Sequence, residues 1–412
     1  MTVPLRIALI ASNRFPIRQP FAGGLESHVW HLARALAARG HRVSLFAGAG
    51  SDGAPEWEAL TVRRLALSDT AKRDTSMPAE AFMADHHAYL SVMLELAQTG
   101  ADSFDVVHNH SLHHLPVAMA PMLDVPMLTT VHTPPTPWLE SALTATPGEG
   151  TRLAAVSRHT ATAWAHITPG IEVVPNGIDT AQWAFGPGGD ELVWFGRITP
   201  EKGTHLAAAA ARRAGMPLVL AGPVSDPTYY TQFVEPMLDD QIRYAGHLTH
   251  DELVHLVGSS AAALVTPAWD EPYGLVVAEA MSCGTPVVAF ARGGIPELLD
   301  PCAGRLVTAG DVDAMAAAIP EVIALDRSAV RRHAKNRCSA EAMLDTYLTL
   351  YRQMITEPGG KDDDRLLRAP SRIRAPRASD EHRRTAEPPG HRVDQSAGAG
   401  TAPVHGGCRA SA

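Results

Sequence analysis

The feature that most constrains the fold is a regular alternation of short apolar runs with longer helical patterns. Residues 6–11 (RIALIA) predict a buried strand. Residues 26–39 predict a helix that ends at Gly40, and residues 41–47 (HRVSLFA) predict the next strand. A strand, a helix and a second strand in this order form a βαβ unit, whose strands are parallel. Further strands of this series are predicted at 61–65, 105–108, 126–131 and 153–156.

A second series of the same kind begins near residues 171–174. Its strands are predicted at 192–195, 217–221, 242–245, 262–266 and 286–289. Two consecutive series of similar size predict an α/β fold with two doubly wound, Rossmann-like domains that face each other across a cleft. Ligands of such sheets bind beyond the carboxyl ends of the strands, so one domain would hold a donor and the other an acceptor.

The 412 residues are expected to divide into four segments. These are an N-terminal, acceptor-side domain at 1–170, a C-terminal, donor-side domain at 171–338, a helix at 339–356 and a tail at 357–412. The tail is rich in Arg, Pro, Gly and Ala and has no aromatic residue, which predicts disorder. Its basic runs could contact an anionic surface, but its mixed charge favours a solvated, passive tail.

Composition excludes several classes of protein. The formal net charge of -9 argues against a nucleic-acid binder, which usually has a basic surface. Four scattered cysteines without a CxxC pair argue against a disulfide framework and a thiolate zinc site. The N-terminus lacks the features of a signal peptide, and no stretch approaches the ~20 apolar residues that span a bilayer. We therefore expect a soluble, cytoplasmic protein.

The most informative segment is 267–280 (PAWDEPYGLVVAEA), where a strand is followed by a turn and a helix that begins near Gly274. The first N–H groups of a helix lack internal partners, and a glycine there lets a phosphate or a sugar approach closely. Glu271 precedes the helix and Glu279 lies about two turns along, so both carboxylates can point into one cleft. A capping acid and a solvated surface acid explain the same two residues equally well.

Two further segments lie at predicted strand ends. Arg197 and Lys202 flank a Thr-Pro turn in 194–203 (WFGRITPEKG), where they could neutralise a diphosphate. On these residues alone, ordinary surface cations are the simpler interpretation. Gly23 and Gly24 open the first helix in 21–28 (FAGGLESH) and could cradle an anion, although a tight turn explains them equally well.

A histidine-rich run, HNHSLHH, follows the strand predicted at 105–108. The HxH spacing within it suits zinc, but no carboxylate or cysteine nearby completes a site. Acceptor-lining or loop histidines are the favoured interpretation. The histidines are His108, His110, His113 and His114.

Taken in order, these segments resemble the retaining glycosyltransferases of family 4. The resemblance rests on the glycine pair before the first helix, GR and then K across a turn, and E-x7-E in EPYGLVVAE. PNGID, AGP, YAGHL and EAMSCGTPVVAFARGGIPELL support it. It runs from residue 6 to about residue 354, and the tail has no counterpart.

The resemblance implies a GT-B fold, in which the C-terminal half holds most of the donor and the final helix crosses back to the N-terminal domain. Several residues would then bind a nucleotide-sugar. The diphosphate would be held by Arg197 and Lys202 and approached by Gly23 and Gly24, and the ribose would be bound by Glu279. The sugar would be held by Glu271 and by the backbone N–H groups of Tyr273, Gly274 and Leu275. Leu248 of YAGHL would line the donor site, and His132 of VHTPP would line the sugar pocket. Tyr273 stands where many members have Phe.

The implied reaction transfers a hexose from a UDP- or GDP-sugar with retention, by front-face substitution in which the donor phosphate takes the acceptor proton. No DxD-type cluster follows a strand, so we expect no metal and no cofactor. The acceptor would be a saccharide, a lipid or a small metabolite, with peripheral membrane contact at most and no nucleic-acid partner. Two alternatives stay open: a non-hydrolysing nucleotide-sugar epimerase, and a non-catalytic nucleotide-sugar sensor.

Overall fold

The computed structural model describes residues 3–52, 58–61, 65–76, 79–146 and 149–356. These residues belong to one compact unit that contains two separate parallel sheets. The tail predicted at 357–412 and most of the strand predicted at 61–65 lie outside the described residues. No helix in the described ranges combines the length and the apolar character needed to cross a membrane.

The first sheet has seven parallel strands in the order β3-β2-β1-β4-β5-β6-β7. The strands are β1 (Arg6–Ile10), β2 (Arg42–Ala47), β3 (Glu58–Thr61), β4 (Val106–Asn109), β5 (Met127–Val131), β6 (Thr151–Ala155) and β7 (Glu172–Val173). The second sheet has six parallel strands in the order β10-β9-β8-β11-β12-β13. These are β8 (Leu192–Phe195), β9 (Leu218–Ala221), β10 (Ile242–Tyr244), β11 (Ala262–Val265), β12 (Val287–Phe290) and β13 (Gly304–Val307).

Helices follow most of the strands, as a doubly wound fold requires. They are α1 (Gly24–Ala38), α2 (Glu80–Ser103), α3 (His114–Met119), α4 (Pro137–Ala145), α5 (Arg158–Trp164), α6 (Thr204–Ala214), α7 (Pro227–Tyr229), α8 (His250–Gly258), α9 (Leu275–Ser282), α10 (Val312–Ile323), α11 (Arg327–Arg337) and α12 (Ala340–Thr356). The predicted fold class, two doubly wound Rossmann-like sheets, is confirmed.

Each sheet is covered by helices on both faces because alternate residues of a strand point to opposite sides. In β1, Ile7 and Leu9 join a core with α1 and α12, whereas Ala8 and Ile10 join a core with α2. The second sheet repeats this arrangement, with α9 and α11 on one face and α6 and α10 on the other. The last helix, α12, follows the second sheet in sequence but packs on the first.

Two details of the strand assignment differ from the sequence analysis. The run at 171–174 was expected to open the second series, but β7 pairs with β6 through Ala155 and Val173, so it belongs to the first sheet. Alternation of apolar residues identifies a strand but not the sheet that it joins. The edge strand β13 was missed because Arg305 interrupts its short apolar run. The domain boundaries themselves stay predictions.

The half of the chain that forms the first sheet, called here the first-sheet half, contacts the loop that precedes α9; the half that forms the second sheet is the second-sheet half. Ser157 Oγ, at the N-terminus of α5, donates a hydrogen bond to the Pro272 carbonyl oxygen at 2.6 Å. In return, the Glu297 carboxylate accepts the backbone N–H groups of Arg158 at 3.0 Å and His159 at 2.7 Å. The carboxyl edge of the second sheet is therefore fixed against the first half of the chain at this point.

Candidate functional site

A cavity of about 330 Å³ lies between the carboxyl edges of the two sheets. Every site residue predicted from the sequence lines it, although the residues come from distant parts of the chain. They are Gly23, Gly24, His132, Arg197, Lys202, Leu248, Glu271, Tyr273, Gly274, Leu275 and Glu279. The structure thus brings the predicted set together, while the role of each residue stays a prediction.

The most strongly connected group on the cavity wall is an ion pair between Lys202 and Glu271. Lys202 Nζ lies 2.5 Å from Glu271 Oε2, and the side chains are only 23% and 16% exposed. Trp269 Nε1 donates a second hydrogen bond to the same oxygen at 3.0 Å. The Lys202 ammonium also lies 5.5 Å from the centre of the Trp269 ring, within range of a cation–π contact. Both donors use Oε2, so Oε1 is left to accept hydrogen bonds from a ligand.

Arg197 follows β8 on the same wall and reaches toward the first-sheet half. Its guanidinium lies 3.9 Å from Oε1 of Glu201, four residues further along the chain. A Cβ placed on Gly23 would lie 3.7 Å from Arg197 Cδ and Nε, so the arginine side chain bridges the cleft. Two cations, Arg197 and Lys202, therefore face the cavity from one strand end.

The N-termini of two helices meet at the cavity. Gly274 caps α9 with a φ of 100°, a left-handed conformation that glycine adopts without the strain of a side chain. Opposite it, α1 begins at Gly24, where an added Cβ would lie 2.8 Å from Leu275 Cδ1. Helix N-termini carry partial positive charge and free N–H groups. Their convergence makes this part of the cavity suited to an anion.

Tyr273 holds the loop rather than the ligand with its side chain. The ring is 4% exposed, and the hydroxyl donates a hydrogen bond to the Asn176 carbonyl oxygen at 2.5 Å. The Tyr273 hydroxyl therefore has a partner within the PNGID segment. The side chain points into the wall and leaves the backbone at the cavity.

Glu279, on α9, is an acid in an apolar setting. Desolvation raises the pKa of its carboxyl to about 8, with no nearby cation to offset the shift. The neutral form of this acid is therefore favoured up to a higher pH than in an ordinary glutamate. Glu279 is half-buried and lines the cavity.

Glu26, which the sequence analysis did not assign, lies close behind the glycine pair. It is 5% exposed, and its Oε2 would lie 3.0 Å from a Cβ on Gly23. Burial raises the pKa of its carboxyl, and the charges of Arg197 and Arg14 oppose the shift. Its position in FAGGLESH was visible, but sequence spacing does not show that it approaches Arg197.

Three histidines cluster at the first-sheet edge of the cleft. Ligand atoms of His28, His110 and His132 lie within 4.8 Å of one another, and His110 Nδ1 lies 2.8 Å from His132 Nε2. Within the described residues, Nε2 of His28 and Nε2 of His110 have no hydrogen-bond partner. Burial, and then neighbouring histidines, lower the pKa of His110 and His132 well below the usual value. His132 therefore presents a neutral imidazole to the cavity.

The histidine run of the sequence does not form the metal cluster considered above. His108 is bound by the Tyr351 hydroxyl at 2.6 Å and by Thr130 Oγ1 at 2.8 Å. His113 and His114 stack on each other, with ring centres 4.3 Å apart. In the described parts of the chain, the group with spacing suited to a metal is instead His28, His110 and His132. A metal-free site stays a prediction.

Comparison with known proteins gives consistent similarities for both halves. The model of Glycosyltransferase Family 4 matches residues 22–182, and that of Glycosyl transferases group 1 matches residues 178–338. The glycogen synthase of Mycobacterium tuberculosis (strain ATCC 25618 / H37Rv) is 32% identical over 385 residues, covering 80% of this chain and 89% of the relative. The D-inositol 3-phosphate glycosyltransferase of Mycolicibacterium smegmatis is 27% identical over 382 residues, covering 81% and 86%.

The fold is also similar to that of solved structures. HepE of Anabaena, solved in complex with UDP-glucose, superimposes with a TM-score of 0.64 at 19% identity, covering 85% of this chain and 100% of HepE. Sucrose-phosphate synthase from Thermosynechococcus elongatus gives a TM-score of 0.68 at 22% identity, covering 85% and 99%. At these identities the likeness concerns the fold.

Proposed function

Because the chain belongs to the family 4 glycosyltransferases, enzymes with the GT-B fold, we propose that it transfers a hexose from a UDP- or GDP-sugar with retention of anomeric configuration. The observation that carries the proposal is the Lys202–Glu271 pair, set beside Arg197 at the point where two helix N-termini converge. This group combines positive charge for a diphosphate with a carboxylate for a sugar.

The diphosphate is assigned to the cationic part of the cavity. Its oxygens would accept hydrogen bonds from Arg197, Lys202 and the free N–H groups at the start of α9. Gly24, at the start of α1, would approach from the opposite side. Charge on the leaving oxygen grows as the glycosidic bond breaks, so these groups stabilise the transition state more than the bound donor.

The sugar is assigned to Glu271 and to the backbone around Gly274. Oε2 of Glu271 is already held by Lys202 and Trp269, so the carboxylate is oriented before a ligand arrives. Oε1 can then accept a sugar hydroxyl. His132 lines the same pocket from the first-sheet half and, being neutral, contributes a hydrogen bond rather than a charge. Prior orientation of this kind lowers the entropy cost of binding.

The ribose is assigned to Glu279. A carboxylate accepts hydrogen bonds from two adjacent hydroxyls, which a protonated acid does less well. Since burial raises the pKa of Glu279 to about 8, hydrogen bonds from the ribose hydroxyls to the carboxylate would favour loss of its proton. Donor binding is therefore expected to release up to one proton near neutral pH.

The donor phosphate is proposed as the base that takes the acceptor proton, on the same face as the departing diphosphate. The cations and helix N-termini would meet the leaving-group charge without a metal. Between UDP- and GDP-sugar donors, the UDP-glucose bound to HepE, a protein of the same fold, favours a UDP-hexose. For the acceptor, the name of one relative indicates a glucan, and the name of another indicates an inositol phosphate.

The proposal is tested with a panel of UDP-, GDP- and ADP-sugars, ranked by the rise in melting temperature and then by slow hydrolysis of the best ligand. Hydrolysis is repeated in excess EDTA, and the released sugar is followed by ¹H NMR at early times. The expected result is one preferred donor, hydrolysis unaffected by EDTA, and a first-formed anomer with the configuration of the donor. A sugar that changes identity while it stays attached to the nucleotide would show an epimerase, and binding without turnover would show a sensor.

A further inference from the structure

A group of four aromatic rings, two exposed and two half-buried, lies outside the cavity on the half of the chain that forms the first sheet. We call it the aromatic platform and define it as Phe82, His86, His114 and Trp138. Trp138 is 62% exposed and Phe82 is 39% exposed, unusually high values for large aromatic side chains. The residues come from α2, α3 and α4, so three separate helices contribute to one surface.

The four rings contact one another in a closed circuit. His114 stacks on Trp138 with centres 5.1 Å apart, and Trp138 lies 6.2 Å from Phe82. Phe82 stacks on His86 at 6.4 Å, and His86 lies 6.3 Å from His114. Side chains that hold one another in this way lose less conformational freedom when a ligand binds. The surface is therefore preorganised although it is exposed.

The platform is anchored to the sheet edge through His113. The His113 ring stacks on His114 at 4.3 Å and on Tyr89 at 4.5 Å. Tyr89, in turn, is buried, donates its hydroxyl hydrogen to the Ala11 carbonyl oxygen and accepts the Asn13 N–H. Ala11 directly follows β1, so the platform has a rigid support at the carboxyl edge of the sheet.

The platform is continuous in sequence with the cavity wall. Leu112, which lines the cavity and is 37% exposed, directly precedes His113 and His114. Thr133, also on the cavity wall, lies in the loop between β5 and α4, the helix that carries Trp138. A ligand whose reacting end enters the cavity from the first-sheet half would therefore extend over the platform.

The charges of the helices that form this surface argue against an anionic partner. The three helices that form it contain no Lys or Arg, whereas α2 and α4 contribute Glu80, Asp85 and Glu140. Surfaces that bind acidic lipid head groups are rich in basic residues. What this surface offers instead is flat apolar ring faces interleaved with imidazole nitrogens that donate and accept hydrogen bonds. Burial, and then the neighbouring His86, lower the pKa of His114.

We propose that the aromatic platform binds a neutral oligosaccharide and that the acceptor of this enzyme is accordingly a glycan chain. A pyranose ring has an apolar face of C–H groups and a rim of hydroxyls, which match the ring faces and the imidazoles. The platform lies two residues along the chain from Leu112 on the cavity wall, so a chain that reaches from the cavity to the platform is favoured over a monosaccharide. This inference rests on the proposed function, because it assigns the acceptor of the same cleft.

The test is isothermal titration calorimetry without donor, with maltoheptaose, cellohexaose, mannohexaose and glucose as probes. The wild type is compared with Trp138→Ala, with Trp138→Phe and with Phe233→Ala, a control at a ring that is 51% exposed on the second-sheet half. At least one oligosaccharide is expected to bind more tightly than glucose, with a loss of about five-fold or more in Trp138→Ala. Trp138→Phe should restore part of the affinity, and Phe233→Ala should leave it unchanged.

Three results would overturn the inference. These are no binding of any oligosaccharide, binding that Trp138→Ala leaves unchanged, and Trp138-dependent sedimentation with 3:1 phosphatidylcholine–phosphatidylglycerol vesicles, which would indicate a lipid surface. Donor hydrolysis without acceptor is measured in parallel on each variant. Intact hydrolysis with no oligosaccharide binding refutes the platform alone, whereas oligosaccharide binding with no donor hydrolysis refutes the proposed function alone.

Discussion

The burial of Glu279 predicts an unusual dependence of stability on pH. Its carboxyl pKa is about 8 in the folded protein, against an ordinary value of 4.5. The folded state therefore holds this proton more tightly than the unfolded state, and the stability that protonation contributes is lost as the pH rises from below 4.5 through 8. A shift of this size corresponds to at most about 5 kcal/mol, since each pKa unit is worth about 1.4 kcal/mol.

Glu279→Gln replaces the acid with a neutral group of the same shape and removes this penalty. The variant should differ from the wild type by less than about 1 kcal/mol at pH 5, and at pH 9 it should melt higher by about 5–10 °C. Melting by differential scanning calorimetry across this range checks the prediction. Glu341→Gln, at an exposed position on α12, serves as the matched control and should show no such trend.

The same group links donor binding to pH. If ribose hydroxyls bind the ionised carboxylate, wild-type affinity for the preferred nucleotide-sugar should rise between pH 6 and 8 by up to about ten-fold per pH unit. Titration calorimetry in two buffers of different ionisation enthalpy would register the released proton. A stability difference and a donor affinity that are both independent of pH would refute the assignment of Glu279 to a desolvated ribose site.

Two further substitutions test how the loop before α9 is held. Gly293 has a φ of 63°, and an added Cβ would lie 2.1 Å from the Glu271 carbonyl oxygen. Gly293→Ala should therefore lower the free energy of unfolding, measured in urea, by more than about 2 kcal/mol and should weaken donor binding. Normal donor affinity in this variant would show that the contact is unimportant. Tyr273→Phe removes the hydrogen bond to Asn176 and should lower the free energy of unfolding by about 1–2 kcal/mol in urea. Its turnover should stay within about two-fold of the wild type. A large loss of turnover would instead place the hydroxyl in the reaction.

Much of the fold follows from local sequence because both sheets are parallel and buried. Strands such as β8 and β12 are continuous apolar runs between helical patterns, and every one of their residues is buried. The two-residue β7 gave no such signal of its sheet, because a strand's partner is set by contacts distant in sequence. The edge strand β13 is partly exposed, so its apolar pattern is weak.

The predicted site residues came from glycines and charges at strand ends, where a doubly wound fold places its ligands. The sequence does not show how closely residues on opposite sides of the cleft approach one another. Nothing local indicates that Arg197 approaches Gly23 and Glu26, or that His108 bonds to Tyr351, 243 residues further along the chain. Trp269 stood within the most informative motif, but its bond to Glu271 depends on a side-chain direction that spacing does not fix.

We propose that Lys202, paired with Glu271, stabilises the charge that develops on the leaving diphosphate. The most direct measurement is the rate of nucleoside diphosphate release from saturating preferred donor by Lys202→Ala, beside Lys335→Ala as an exposed control on α11. The account predicts a loss of about 10²–10³-fold in kcat with a much smaller change in donor Kd, and no change in the control. An unchanged kcat, or a loss confined to Kd, would contradict it.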